Sequence, residues 1–174
     1  MQIRPATLAD LPSLTALINH YISNTHITFD LVPYTPTERE PWFQEHSDGR
    51  RYRLLVAEDG GSILGYAATG PFRNKGAYDT TVEVSIACAP QATGRGLGAK
   101  LYRALFDAIA GEDIHRVIAI IVPPNPASIA LHERFGFRTA GTLTSVGRKF
   151  DRYWDVMMME RPLRLPDAGP TARR

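Results

Sequence analysis

The stretch TVEVSIACAPQATGRGLGAKL, residues 81–101, decides how the chain is read. Its opening segment alternates: Val82, Val84, Ile86 and Cys88 fall on one face of an extended chain, and Glu83, Ser85 and Ala87 on the other. The alternation predicts a strand from Thr80 to Cys88, its apolar face in the core and a carboxylate projecting from mid-strand on the other side. A Gly-rich turn follows, then a helix from about Gly96 to Ala110 with Leu97, Leu101, Leu105 and Ile109 along one face.

The turn itself, Thr93-Gly94-Arg95-Gly96-Leu97-Gly98, joins strand to helix. Its glycines let the backbone bend tightly and approach a ligand without side-chain clash. The first amides of a helix are unpaired, and the helix dipole adds partial positive charge there. Together they predict a pyrophosphate site. A tight connection with no ligand is the plainer alternative. A dinucleotide fingerprint on Gly94, Gly96 and Ala99 fits poorly: Ala89 to Thr93 separate it from the strand, and Val117–Val122 ends in prolines rather than an acid. The lysine-serine or lysine-threonine pair of a nucleotide-triphosphate loop is missing.

Outward from this stretch, Gln2–Arg4 reads as a short strand and Thr7 with Asp10 as a capping pair for a first helix. A shorter helix is predicted from Thr37 to His46, and strands at Arg53–Glu58 and Ile63–Thr69 flank an Asp59-Gly60-Gly61-Ser62 hairpin turn. Val117–Val122 is a continuous apolar run, predicting a strand buried on both faces. Asn125 is an N-cap and Pro126 a first helical residue, and Gly136 stops that helix. Asn125, Ser128 and His132 share one face of it. Strands around Arg138–Thr144 and Tyr153–Glu160 complete a mixed sheet flanked by helices.

The 174 residues suit one domain, 1–162, with a flexible tail over 163–174. The 20 basic and 18 acidic residues, net +2, support neither a nucleic-acid nor a membrane partner. One cysteine excludes an internal disulfide and a cysteine-based metal cage; no metal is expected, and a reducing, cytoplasmic setting is. No secretory leader or membrane-spanning run is visible.

The Gly-rich turn, the strand after it, and Asn125, Ser128, Leu131-His132-Glu133 and Gly136-Phe137 resemble the GNAT superfamily of N-acetyltransferases. Val56-Ala57-Glu58, Gly65-Tyr66-Ala67, Thr81-Val82-Glu83 with Ser85, Gly96-Leu97-Gly98, Pro124-Asn125, Lys149 and Asp155-Val156 resemble its phosphinothricin and methionine sulfoximine acetyltransferase branch. The resemblance implies an α/β (α+β) fold, a mixed, mostly antiparallel twisted sheet of about seven strands flanked by about four helices. It also implies an acetyl-CoA-dependent enzyme acetylating a small amine, and a homodimer. The chain departs from the pattern at Thr93, where Gln or Arg is usual, and at Ala87, where an aromatic is common. Asp151 replaces a glycine and Tyr153 a tryptophan.

Carried onto this chain, the resemblance implies Glu83 as general base and His132, where many members have tyrosine, as general acid. Ile86, Ala87 and Cys88 are expected to meet the pantetheine arm as an added strand. Thr93, Gly94, Arg95, Gly96, Leu97, Gly98 and Ala99 are expected around the diphosphate, and Asn125 and Ser128 on the helix side. Phe29, Phe72 and Tyr78 are candidate apolar walls for the acceptor, with Tyr34 a weaker one. Arg73 and Lys75 are candidate anion partners, and Ser85 lies beside Glu83 on the strand. Lys149 matches the branch without an evident role. A peptide or protein N-acetyltransferase on the same fold, and a non-catalytic acyl-CoA-binding module, are the alternative functions.

Overall fold

Gly60 and Gly61 both sit at positive φ, 55° and 79°, and reverse the chain so that Asp59 faces Ser62. This is the hairpin turn expected of paired glycines. It joins two of seven strands in the computed structural model, which describes residues 1–46 and 50–164. The elements are β1 (Gln2–Pro5), α1 (Leu11–Asn24), α2 (Pro36–Gln44), β2 (Leu54–Asp59), β3 (Ser62–Pro71), β4 (Thr81–Cys88), α3 (Leu97–Ile109), β5 (Arg116–Ile121), α4 (Pro126–Arg134), β6 (Arg138–Lys149) and β7 (Arg152–Pro162). The sheet order is β1-β2-β3-β4-β5-β7-β6. Every neighbouring pair is antiparallel except β4–β5.

Local chemistry explains the helix starts. Asp10 accepts from the Thr7 amide at 2.7 Å and hydroxyl at 2.9 Å, closing a 3₁₀ turn (Leu8–Asp10) that leads into α1. Thr35 and Glu38 form a capping box, so α2 begins at Pro36, a residue earlier than the sequence suggests. The apolar face of α3 lies on the sheet: Leu101, Leu105 and Ile109 are fully buried, and so is Tyr102.

Two expectations are corrected. β6 runs on to Lys149 rather than ending near Thr144, because an irregularity between Leu143 and Gly147 interrupts the register without ending the strand. Ser145 sits there at φ 54°, its amide bonded to Asp155 Oδ1 at 2.8 Å. The expected tail over 163–174 reaches the described residues only at its start, where Pro162 closes β7 and Leu163 is buried with its amide on the His115 carbonyl. The remainder of that tail, 165–174, lies outside the described residues. Finally, β5 is not buried on both faces throughout, since Ile120 is 43% exposed.

Candidate active site

The exposure of Ile120 marks where the sheet opens. β4 and β5 pair from Thr81–Arg116 only as far as Val84–Ala119, so Ser85–Cys88 has no strand beside it on that edge. On the other edge β4 stays paired with β3 through Cys88–Gly65, and the Ala89 amide bonds the Leu64 carbonyl at 2.8 Å. Antiparallel pairing alternates, so the amides and carbonyls of Ile86 and Cys88 point to the open edge. Tyr21, from α1, donates to the Cys88 carbonyl at 2.6 Å and fixes the end of that edge.

A cleft of about 730 Å³ occupies the opening. It gathers Glu83, Ser85, Ile86, Ala87 and Cys88 from β4, and Ile120 and Ile121 from β5. Thr93, Gly94, Gly96, Leu97, Gly98 and Ala99 close one end, Asn125, Ser128 and His132 one side, and Phe29 lies on the wall as well. Arg95 is exposed and does not line the cleft.

The turn has the backbone a phosphate cradle needs. Gly94 and Gly96 stand at φ 72° and 74°, a region unfavourable to residues with a Cβ. Gly96 is the N-cap of α3 and supplies no side chain to its first amides. A Cβ built on Gly94 or Gly96 meets no protein atom within 4 Å, so the space beside these glycines is open. Gly98 differs: a Cβ there would come within 3.1 Å of Leu131, and its absence lets α3 and α4 approach. An open strand edge and uncapped helix amides in one cleft fit the pantetheine arm and diphosphate of coenzyme A.

Glu83 lies opposite Gly70 on β3 and Ile118 on β5. No hydrogen bond or ion pair reaches its carboxylate among the described residues, and burial alone raises its pKa above the usual carboxylate range. Cys88 is pushed up to about 11 by burial, which keeps it a thiol.

His132 is buried, 3% exposed, rather than a surface histidine. Its Nδ1 lies 2.7 Å from the Ser128 carbonyl and its Nε2 2.7 Å from the Tyr102 hydroxyl. A carbonyl only accepts, so Nδ1 carries the ring proton and Nε2 accepts from Tyr102. Desolvation lowers its pKa, favouring this neutral form. Asn125 caps α4, accepting from the Ser128 amide at 3.2 Å, and lines the cleft at the same time.

Four expected acceptor residues are placed elsewhere. Phe72, Arg73, Lys75 and Tyr78 line a separate hollow with Asn74, Phe72 and Tyr78 packing edge to face and Arg73 lying over Phe72. Tyr34 is also absent from the cleft; it donates to Asp30 at 2.9 Å and pairs with Asn19. Tyr21, Tyr66 and Tyr102 do line it, although the sequence pattern marks none of them as a site residue. Each belongs to an apolar helix or strand pattern, where an aromatic reads as core.

The model of the Acetyltransferase (GNAT) family matches residues 16–137. The chain belongs to the GNAT family. Acetyl-CoA is the acyl donor of these enzymes, and this chain is an acetyl-CoA-dependent N-acetyltransferase. It is 55% identical over 165 residues to a phosphinothricin N-acetyltransferase of Streptomyces coelicolor, covering 94% of this chain and 96% of that one. It is 36% identical over 159 residues to an L-methionine sulfoximine/L-methionine sulfone acetyltransferase of Pseudomonas aeruginosa, covering 91% and 92%. Among solved structures, a GNAT phosphinothricin acetyltransferase from Sinorhizobium meliloti in complex with acetyl-CoA superposes with a TM-score of 0.87 at 34% identity, covering 92% of this chain and 87% of that one.

Proposed function

We propose that this acetyltransferase acts on the amino group of a small amino-acid-like acceptor of the phosphinothricin, methionine sulfoximine or methionine sulfone type. The observation that carries the reading is Glu83, a carboxylate without a partner among the described residues, in the same cleft as the open edge of β4. The two relatives that act on such acceptors along nearly their whole length supply the substrate class.

The reaction follows from those groups. An alkyl ammonium has a pKa of about 10 when lysine-like and about 8 as an α-amine, so it must first lose a proton. Glu83 takes it, directly or through one water, and its raised pKa narrows the gap that transfer must cross. The amine nitrogen then attacks the thioester carbon, and an Ile86 or Cys88 amide on the open edge stabilises the oxyanion. The C–S bond breaks, the thiolate leaves, and the second proton shed by the acylated nitrogen neutralises it, directly or through water, giving the amide and the free thiol. Cys88, held as a thiol, is a poor nucleophile, which favours direct transfer over a route through an acetylated cysteine. Alignment of the two reactants in one ternary complex supplies much of the acceleration.

His132 is the proposed proton source for the departing sulfur, in a secondary role. Its one ring proton is engaged by Ser128, so it serves only after gaining a proton at Nε2. A thiol of pKa about 8.5 departs without that help. Thr93, Gly94 and Gly96 to Ala99 hold the diphosphate, and Asn125 and Ser128 border the arm. Phe29 and Ser85 border the acceptor.

We likewise infer a cytoplasmic homodimer. Leu143, Val146, Phe150 and Tyr153 are exposed apolar side chains on β6, β7 and the turn between them, which suits a surface covered by a second copy.

The test is thiol release from acetyl-CoA with phosphinothricin, methionine sulfoximine, methionine sulfone, common amino acids and a short peptide as acceptors. Saturable turnover with the first three supports the reading; turnover confined to the peptide overturns it.

A further inference from the structure

The wall formed by Phe29 stands on an unusual neighbour. Its ring edge rests on Gly147 of β6, and a Cβ at Gly147 would lie 2.7 Å from Cδ2 and closer still to Cε2 and Cζ. No such contact is tolerated, so the ring occupies a place that only a glycine leaves vacant. The backbone does not require glycine there, because Gly147 is not among the residues at positive φ. The close approach of the ring does.

The loop carrying Phe29 is pinned to the same hairpin at two further points. His26 stacks on Trp154 of β7 with centroids 4.0 Å apart and planes within 9°. Lys149 is buried and donates from Nζ to the Thr28 carbonyl at 2.8 Å. Trp154 faces Gly147 across the β6–β7 ladder and donates to the Lys149 carbonyl at 3.0 Å. His26 and Thr28, which precede Phe29, are pinned in this way, and Asp30, which follows it, accepts from the Tyr34 hydroxyl at 2.9 Å, so Phe29 does not yield by moving its backbone outward. A displaced ring therefore moves within the cleft it lines.

We propose that Gly147 is a specificity-determining position: its missing side chain seats Phe29 and thereby sets the room left for the acceptor. This rests on the reading of the Phe29 end of the cleft as the acceptor side. Gly147 touches neither reactant, and its influence passes through the Phe29 ring alone.

The test is a cycle of Gly147→Ala, Phe29→Ala and the double variant in the full chain. Acceptor KM is measured for methionine sulfone and phosphinothricin, and acetyl-CoA affinity by calorimetry. Gly147→Ala is expected to raise acceptor KM about tenfold, with acetyl-CoA affinity held within about twofold. In the Phe29→Ala background the same substitution is expected to change acceptor KM by less than about twofold, since the ring it would displace is gone. Equal effects of Gly147→Ala in both backgrounds, or an unchanged KM in the single variant, overturn the proposal. Should the wild type turn over neither acceptor, the substrate reading fails separately. A crystal structure of Gly147→Ala then decides the inference, where a shifted Phe29 ring supports it and an unmoved one overturns it.

Discussion

The Tyr102 hydroxyl lies 2.7 Å from Nε2 of His132, tying α3 to α4 across 30 positions of sequence. Both side chains are buried, and the Ser128 carbonyl holds the other ring nitrogen. The contact therefore fixes one tautomer and one orientation for a residue that borders the cofactor cleft. It also occupies the second ring nitrogen, so both have hydrogen-bond partners. The same ring packs edge to face on Tyr102 and Phe137, so the polar pair is embedded in aromatic core.

Tyr102→Phe removes the donor and leaves a buried Nε2 without a partner. Urea unfolding is expected to report a loss of about 1–3 kcal/mol. Turnover should change far less than with a Glu83 substitution, because the thiolate departs without an acid. A fall in kcat as large as that of Glu83→Gln would move the proton donor's role onto the Tyr102–His132 pair.

Glu83→Gln keeps the shape of the side chain and removes its basicity. We expect kcat to drop by about 10²-fold or more, in the range of a lost general base, with acetyl-CoA affinity by calorimetry nearly unchanged. The wild-type rate should fall as pH drops, because the base works only when ionised. Burial raises the Glu83 pKa, so this loss sets in above the pH at which an ordinary carboxylate would protonate. That acidic limb should vanish in the variant; its survival would assign it to another group.

The parts of this site that lie within one element were legible from sequence. Alternation put Glu83 on its own face of β4, the glycines marked the turn into α3, and Asn125-Pro126 announced α4. What was hidden depends on pairing. The parting of β4 from β5 after Val84 is a register fact, invisible in an apolar run such as Val117–Val122. The Tyr102–His132 contact joins two helices whose packing no local pattern encodes. Phe72 to Tyr78 had the right chemistry for an acceptor wall, but a 3₁₀ turn at Gly76–Tyr78 folds them against one another. Of the departures from the family pattern, Asp151 now has a backbone account. It takes φ 55° in the β6–β7 turn, where glycine is easiest and Asp is better tolerated than most, and it accepts from Arg148 at 3.0 Å.

Gly96→Ala tests the phosphate turn. A Cβ finds open space there, so its penalty is not crowding by protein atoms. It arises from the left-handed φ of 74°. The expected loss of stability is about 1–2 kcal/mol by urea unfolding. The added methyl also stands in the space offered to the diphosphate, so acetyl-CoA affinity by calorimetry should fall. Unchanged affinity would place the diphosphate elsewhere.

Asp10 anchors the start of the fold, and its charge makes stability depend on pH. Arg4 donates to it at 2.7 and 2.9 Å and also pairs with Glu58, while Thr7 donates from amide and hydroxyl. The Arg4 hydrogen bonds chiefly lower the Asp10 pKa, against the opposing effect of burial, to about 2 from 3.8. A carboxylate with a depressed folded pKa stabilises the fold fully above its unfolded value and progressively less as pH falls through the folded one. The shift corresponds to about 2 kcal/mol at neutral pH. Asp10→Asn is therefore expected to lower unfolding free energy by about that much at pH 7. The gap from wild type should narrow between about pH 4 and pH 2, as the native carboxylate becomes protonated. Urea unfolding at several pH values measures it, and a gap constant down to pH 2 would mean that Asp10 acts through its shape rather than its charge.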